Sequence, residues 1–96
     1  MAKENKLLQE ETRTVQIMND LGLHLRAAGV LVQLASNFNA EVWIEFNDRR
    51  ANGKSIMSVL SLAAGCGSEL TIRCEGSDAS NALDALVRLI ENKFEE

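Results

Sequence analysis

Apolar residues along this chain recur at every second position in some stretches and at every third or fourth in others, and the order of these periods restricts the fold more than any other property. From Thr12 to Met18, Val15 and Ile17 alternate with Thr14 and Gln16, the pattern of a half-buried strand. Asn19 to Gly22 turn the chain. From His24 to Phe38 the apolar positions Ala27, Ala28, Leu31, Leu34, Ala35 and Phe38 share one face of a helix. Alternation returns from Glu41 to Phe46, with Val42, Ile44 and Phe46 inward and Trp43 and Glu45 outward. Asn47 and Asp48 tolerate positive φ and suit a tight hairpin into a short strand from Arg49 to Asn52. Ser55 to Ala64 reads as a short helix, and Glu69 to Glu75 alternates around Leu70, Ile72 and Cys74. Gly76 to Asp78 make a turn and cap. A last helix then carries Ala79, Ala82, Leu83, Leu86, Ile90 and Phe94 on one face.

The resulting order, β-α-β-β-α-β-α, predicts the α+β class: a two-layer open-faced β-sandwich whose four-stranded antiparallel sheet is covered on one face by three helices. A chain of 96 residues has room for one such domain, expected over residues 12–96, with residues 1–11 as a flexible N-terminal extension. No apolar run approaches the length of a membrane span, so no direct membrane insertion is expected. The polar start lacks the features of a secretory signal and points to the cytoplasm. A net charge of −4 leaves no basic stripe for nucleic acid, although Arg26, Arg49, Arg50 and Lys54 have the potential to gather on one face. Cys66 and Cys74 lack metal-binding spacing, so neither a metal nor a cofactor is expected; Cys74 reads as a buried thiol and Cys66 as a loop bystander. Trp43, on the second face of the sheet, is expected to pack against long neighbouring side chains. A monomer is expected.

The stretch Gly22, Leu23, His24, Leu25, Arg26, Ala27, Ala28 holds the only histidine, at the mouth of the first helix. Backbone N–H groups of a first helical turn have no intrahelical partner and attract anions. Arg26 adds a guanidinium fork suited to phosphate oxygens, a geometry that lysine reproduces poorly. An imidazole in water is largely neutral near pH 7 and can act as a nucleophile. His24 is therefore a candidate acceptor of a phosphoryl group. In the second helix Ile56, Met57, Val59, Leu60, Leu62, Ala63 and Ala64 surround the axis, and a small domain cannot bury every side of such a helix. Ile56, Met57 and Leu60 are the candidates for an exposed contact patch, and Ser55 is placed to cap the helix.

Two stretches in this register resemble the HPr family, the histidine-containing phosphocarriers of the bacterial phosphoenolpyruvate-dependent phosphotransferase system. The first, Gly22 to Ala28, is similar to the family's Gly-Leu-His-small-Arg-Pro-Ala site; the second, Lys54 to Leu62, is similar to its regulatory serine segment. The resemblance implies that His24 accepts a phosphoryl group on Nδ1 from enzyme I and passes it to sugar-specific or regulatory acceptor proteins, with Arg26 stabilising the phosphate. It also implies docking of partners through Leu25, Ile56, Met57 and Leu60, and regulatory phosphorylation of Ser55 by an HPr kinase/phosphorylase. Two positions depart from the pattern. Ala27 stands where the family has proline, and Leu25 stands where it has a small residue, which raises the prospect of a specialised branch such as the nitrogen-related relay. The competing readings are an interaction protein of the same fold in which His24 is silent, acting in nitrogen-branch or catabolite regulation, and a small-molecule-binding regulatory domain.

Overall fold

The computed structural model describes residues 9–96. It contains strands β1 (Glu10–Gln16), β2 (Glu41–Phe46), β3 (Arg49–Asn52) and β4 (Glu69–Glu75), helices α1 (Leu25–Ala35), α2 (Ile56–Leu60) and α3 (Ala79–Glu91), and a terminal turn over Lys93–Glu95. The strands form one sheet in the order β1-β4-β2-β3. Every neighbouring pair is antiparallel, with Val15 opposite Leu70, and Ile44 opposite both Ile72 and Ala51. The three helices cover a single face, so the expected two-layer α+β architecture and its element order are those observed.

Alternation decides which side of each strand meets the helices. Val15, Val42, Ile44, Ala51, Leu70, Ile72 and Cys74 are buried beneath the helical layer, which contributes Ala27, Ala28, Leu31, Leu83, Leu86 and Ile90. Burial pushes the Cys74 thiol up to about 11, which keeps it protonated and unreactive at neutral pH. Cys66 is exposed. On the open face Arg73 lies between Glu10 (3.1 Å) and Glu45 (3.4 Å), and the Arg50 guanidinium stacks 4.1 Å from the Trp43 ring centroid. Trp43 thus packs against a long neighbour, as its position in the alternation implied. Asn47 (φ 50°) and Asp48 (φ 64°) form the expected hairpin turn.

Several boundaries differ from the sequence reading for identifiable reasons. Strand β1 begins at Glu10, because Glu10 and Glu11 pair with Glu75 and Cys74; residues 1–8 of the expected extension lie outside the described residues. Helix α2 stops at Leu60, well short of Ala64. Ala63 takes a φ of 53°, and the loop turns Leu62 and Ala64 into the core without a helix. Helix α3 ends at Glu91, although the apolar stripe continues to Phe94. Phe94 is fully buried, but from a left-handed turn in which Lys93, Phe94 and Glu95 have φ of 57°, 56° and 63°.

Two contacts tie loops together, the first of them beside His24. Gly22 (φ 66°) passes so close to the loop after α2 that a Cβ would lie 2.6 Å from the Ala64 carbonyl oxygen, and the Leu23 N–H donates to that same oxygen at 2.9 Å. The segment before α1 is thereby held against the loop that follows α2. At the opposite end, Asp78 does not cap its own helix; its Oδ2 and Oδ1 accept the N–H groups of Asn39 (2.9 Å) and Ala40 (2.8 Å). The Asn39 amide, joined by that of Ala40, holds the Asp78 carboxyl below the usual aspartate range. The unfolded chain therefore binds the proton more readily. The stability from Asp78 is complete above the unfolded aspartate value of about 3.9 and is lost as pH falls through the lower folded value. Thermal unfolding should show Asp78→Asn less stable than the parent at neutral pH, with a smaller further loss between roughly pH 5 and pH 2.

Candidate functional site

His24 is the residue immediately before α1, with extended backbone (φ −77°, ψ 179°) and no side-chain capping bond. The first bond of the helix runs from the Ala28 N–H to the His24 carbonyl at 2.8 Å, so the amides of Leu25, Arg26 and Ala27 have no intrahelical partner. The ring is partly accessible rather than sealed in the core. Its Nε2 lies 2.6 Å from Oε2 of Glu96, and Arg26 Nη1 donates to the same oxygen at 3.3 Å. Oε1 of Glu96 accepts from Asn19 Nδ2 at 3.3 Å. The hydrogen bond to the His24 ring, with that to Asn19, holds the Glu96 carboxyl below the usual glutamate range, against the opposing effect of burial. An anionic group thus already bridges His24 and Arg26 at the open end of α1.

Beside this cluster is an apolar rim. Leu25 and Met57 are 66% and 76% exposed, and Leu21, Met18 and Ile56 are exposed as well. Ser55 caps α2 through an Oγ that accepts the Ser58 N–H at 3.3 Å. Leu60 differs from Ile56 and Met57, because it is partly buried against the core. The four basic residues each have a different partner. Arg49 donates to the Ser61 carbonyl, Lys54 to the Phe38 carbonyl, Arg50 stacks on Trp43 and Arg26 meets Glu96, so each cation has a separate role.

Residues 11–92 match the PTS-HPr family, described as the PTS HPr component phosphorylation site. The chain belongs to the HPr family. Its general role is that of a phosphocarrier of the phosphotransferase system, whose partners include enzyme I and sugar-specific acceptors. It is similar to the phosphocarrier protein HPr of Treponema pallidum, 48% identical over 84 residues that cover 88% of this chain and 96% of the relative. It is also similar to the phosphocarrier protein NPr of Shewanella violacea, 44% identical over 84 residues covering 88% and 92%. Among solved structures, HPr-C-His from Thermoanaerobacter tengcongensis superimposes with a TM-score of 0.87 at 42% identity, covering 90% of this chain and 97% of that one. Among the described residues of this HPr-family chain no helix is long and apolar enough to cross a membrane. Ala27, where the family has proline, lies in the first turn of α1, which begins at Leu25, and is fully buried in the core.

Asn19, Leu21, Met18 and Glu96 were not legible as site residues from the sequence. Asn19 and Leu21 sit in the turn before the histidine, where an exposed leucine in a polar turn was the only available signal. Glu96 is 72 positions from His24, and no local pattern predicts such a contact.

Proposed function

We propose that His24 is the phosphoryl-accepting residue of this phosphocarrier, taking the group on Nδ1 from enzyme I and delivering it to sugar-specific or regulatory acceptors in the cytoplasm. The observation that carries this reading is the Glu96 carboxylate lying between His24 Nε2 and Arg26 Nη1. Two side chains that together hold one anion beside unpaired helix amides are suited to hold another. On transfer the Nδ1 lone pair forms a bond to phosphorus as the donor's bond to phosphorus breaks, and the donor leaves with that electron pair. Arg26 would exchange the carboxylate for phosphate oxygens, and the partial positive charge of the unpaired first-turn amides would favour the phosphorylated product. Incubation of the full chain with phosphoenolpyruvate and enzyme I should add one phosphoryl group, about 80 Da, in an acid-labile linkage. Absence of that adduct with an active enzyme I would refute the reading.

Partner docking is assigned to Leu25, Ile56, Met57 and Leu60, with Leu21 and Met18 extending the rim. Met57 is the most exposed of them, so Met57→Glu should slow transfer from enzyme I by roughly 10- to 100-fold while leaving the fold intact. An unchanged rate in single-turnover transfer would remove Met57 from the docking face. Ser55 is the proposed regulatory phosphorylation site, where an HPr kinase/phosphorylase would add nearly two negative charges beside Ile56 and Met57. A regulatory or nitrogen-branch role is the second reading. It is favoured by Leu25, an exposed apolar side chain directly after His24.

A further inference from the structure

We propose that Glu96 is a positioning residue that selects which nitrogen of His24 is the nucleophile; the proposal rests on the reading of His24 as the phosphoryl acceptor. An ionised carboxylate carries acceptor lone pairs and no proton, and its displacement below the usual range keeps Glu96 ionised at neutral pH. A separation of 2.6 Å between Glu96 Oε2 and His24 Nε2 therefore places the ring proton on Nε2. In the neutral ring the lone pair is then on Nδ1. Nδ1 has no hydrogen-bond partner among the described residues, so its lone pair is not engaged by the protein.

The carboxylate is itself held from three sides. Arg26 donates to Oε2 and Asn19 Nδ2 to Oε1, while Asn19 Nδ2 also donates to the Gly22 carbonyl at 2.9 Å. Both neighbours of that amide nitrogen are acceptors, which fixes the orientation of the 2%-exposed Asn19 side chain. The left-handed turn over Lys93–Glu95, anchored by buried Phe94, carries Glu96 to this point. During transfer the proton stays on Nε2. The ring gains positive charge as its Nδ1 bonds to phosphorus, and that charge develops facing Glu96, so one contact both orients the nucleophile and stabilises the product.

Nitrogen-15 shifts of His24 in the full-length protein, recorded where the ring is neutral, test the assignment directly. The parent should show a protonated, pyrrole-type Nε2 and a pyridine-type Nδ1. Glu96→Ala should move both shifts toward an exchanging mixture, leave the melting curve that of a folded protein, and slow phosphoryl transfer from enzyme I roughly 10-fold. A proton on Nδ1 in the parent, shifts unmoved in Glu96→Ala, or moved shifts with an unchanged transfer rate would each overturn the proposal. A parent with the expected shifts that takes no phosphoryl group from enzyme I would instead uphold the tautomer assignment and refute the acceptor reading.

Discussion

His24→Ala is expected to lose the acid-labile adduct altogether, a fall in transfer from enzyme I of roughly 10⁴-fold or more, because removing a nucleophile leaves no atom to form the intermediate. The loss should occur in a folded protein. His24 makes no side-chain capping bond, and its ring is partly accessible, so alanine removes little packing. Arg26→Ala should behave differently, since Nδ1 remains and only charge stabilisation is lost; a decrease of roughly 10²-fold is the scale of removing one donor aimed at developing negative charge. Arg26→Lys should recover part of this, because a single ammonium neutralises charge without the planar fork. Rapid-quench measurement of phosphoryl transfer to the three variants orders them. An adduct of parental yield in His24→Ala would move the chemistry to another residue and leave the exposed apolar rim as the main functional feature of the molecule.

The expectations that succeeded depended on local physics. The hairpin was legible because Asn47 and Asp48 are residue types that accept the positive φ a tight turn needs. Strands β2 and β4 were legible because one face of each is buried and the other is not, which writes a period of two into the sequence. The errors share a different cause. Burial alone does not reveal the backbone that achieves it, so Leu62 and Ala64, buried from a loop, read as a continuing helix, and Phe94, buried from a left-handed turn, read as the end of α3's stripe. At the candidate site, the placement of His24 and Arg26 at the mouth of α1 was legible because a helix start is written in neighbouring residues. Their partners Asn19 and Glu96 are brought in by tertiary structure.

That last turn makes Phe94→Ala the substitution with the largest expected effect on stability. Left-handed backbone costs a residue with a Cβ about 1–2 kcal/mol, and three such residues follow one another from Lys93 to Glu95. The hydrogen bonds closing the turn, from the Glu95 N–H to the Asn92 carbonyl (2.9 Å) and from the Glu96 N–H to the Lys93 carbonyl (3.0 Å), are available in other conformations and do not select this hand. The burial of Phe94, which is fully enclosed in the core, is what offsets the cost. Alanine there should destabilise the protein by about 3–5 kcal/mol, through lost transfer energy and the cavity left behind. It should also free the turn, because alanine cannot repay the left-handed strain, and with the turn goes the Glu96 contact to His24 and Arg26. Urea unfolding measures the first effect, and the His24 ring nitrogen shifts report the second. The same reasoning gives Lys93→Gly and Glu95→Gly an unusual sign. In a right-handed helix interior each would cost about 0.5–1 kcal/mol, whereas here glycine relieves a strained φ and should be neutral or stabilising. A Phe94→Ala variant within about 1 kcal/mol of the parent, or glycine variants that cost as much as in an ordinary helix, would mean that the terminal segment is not held as described.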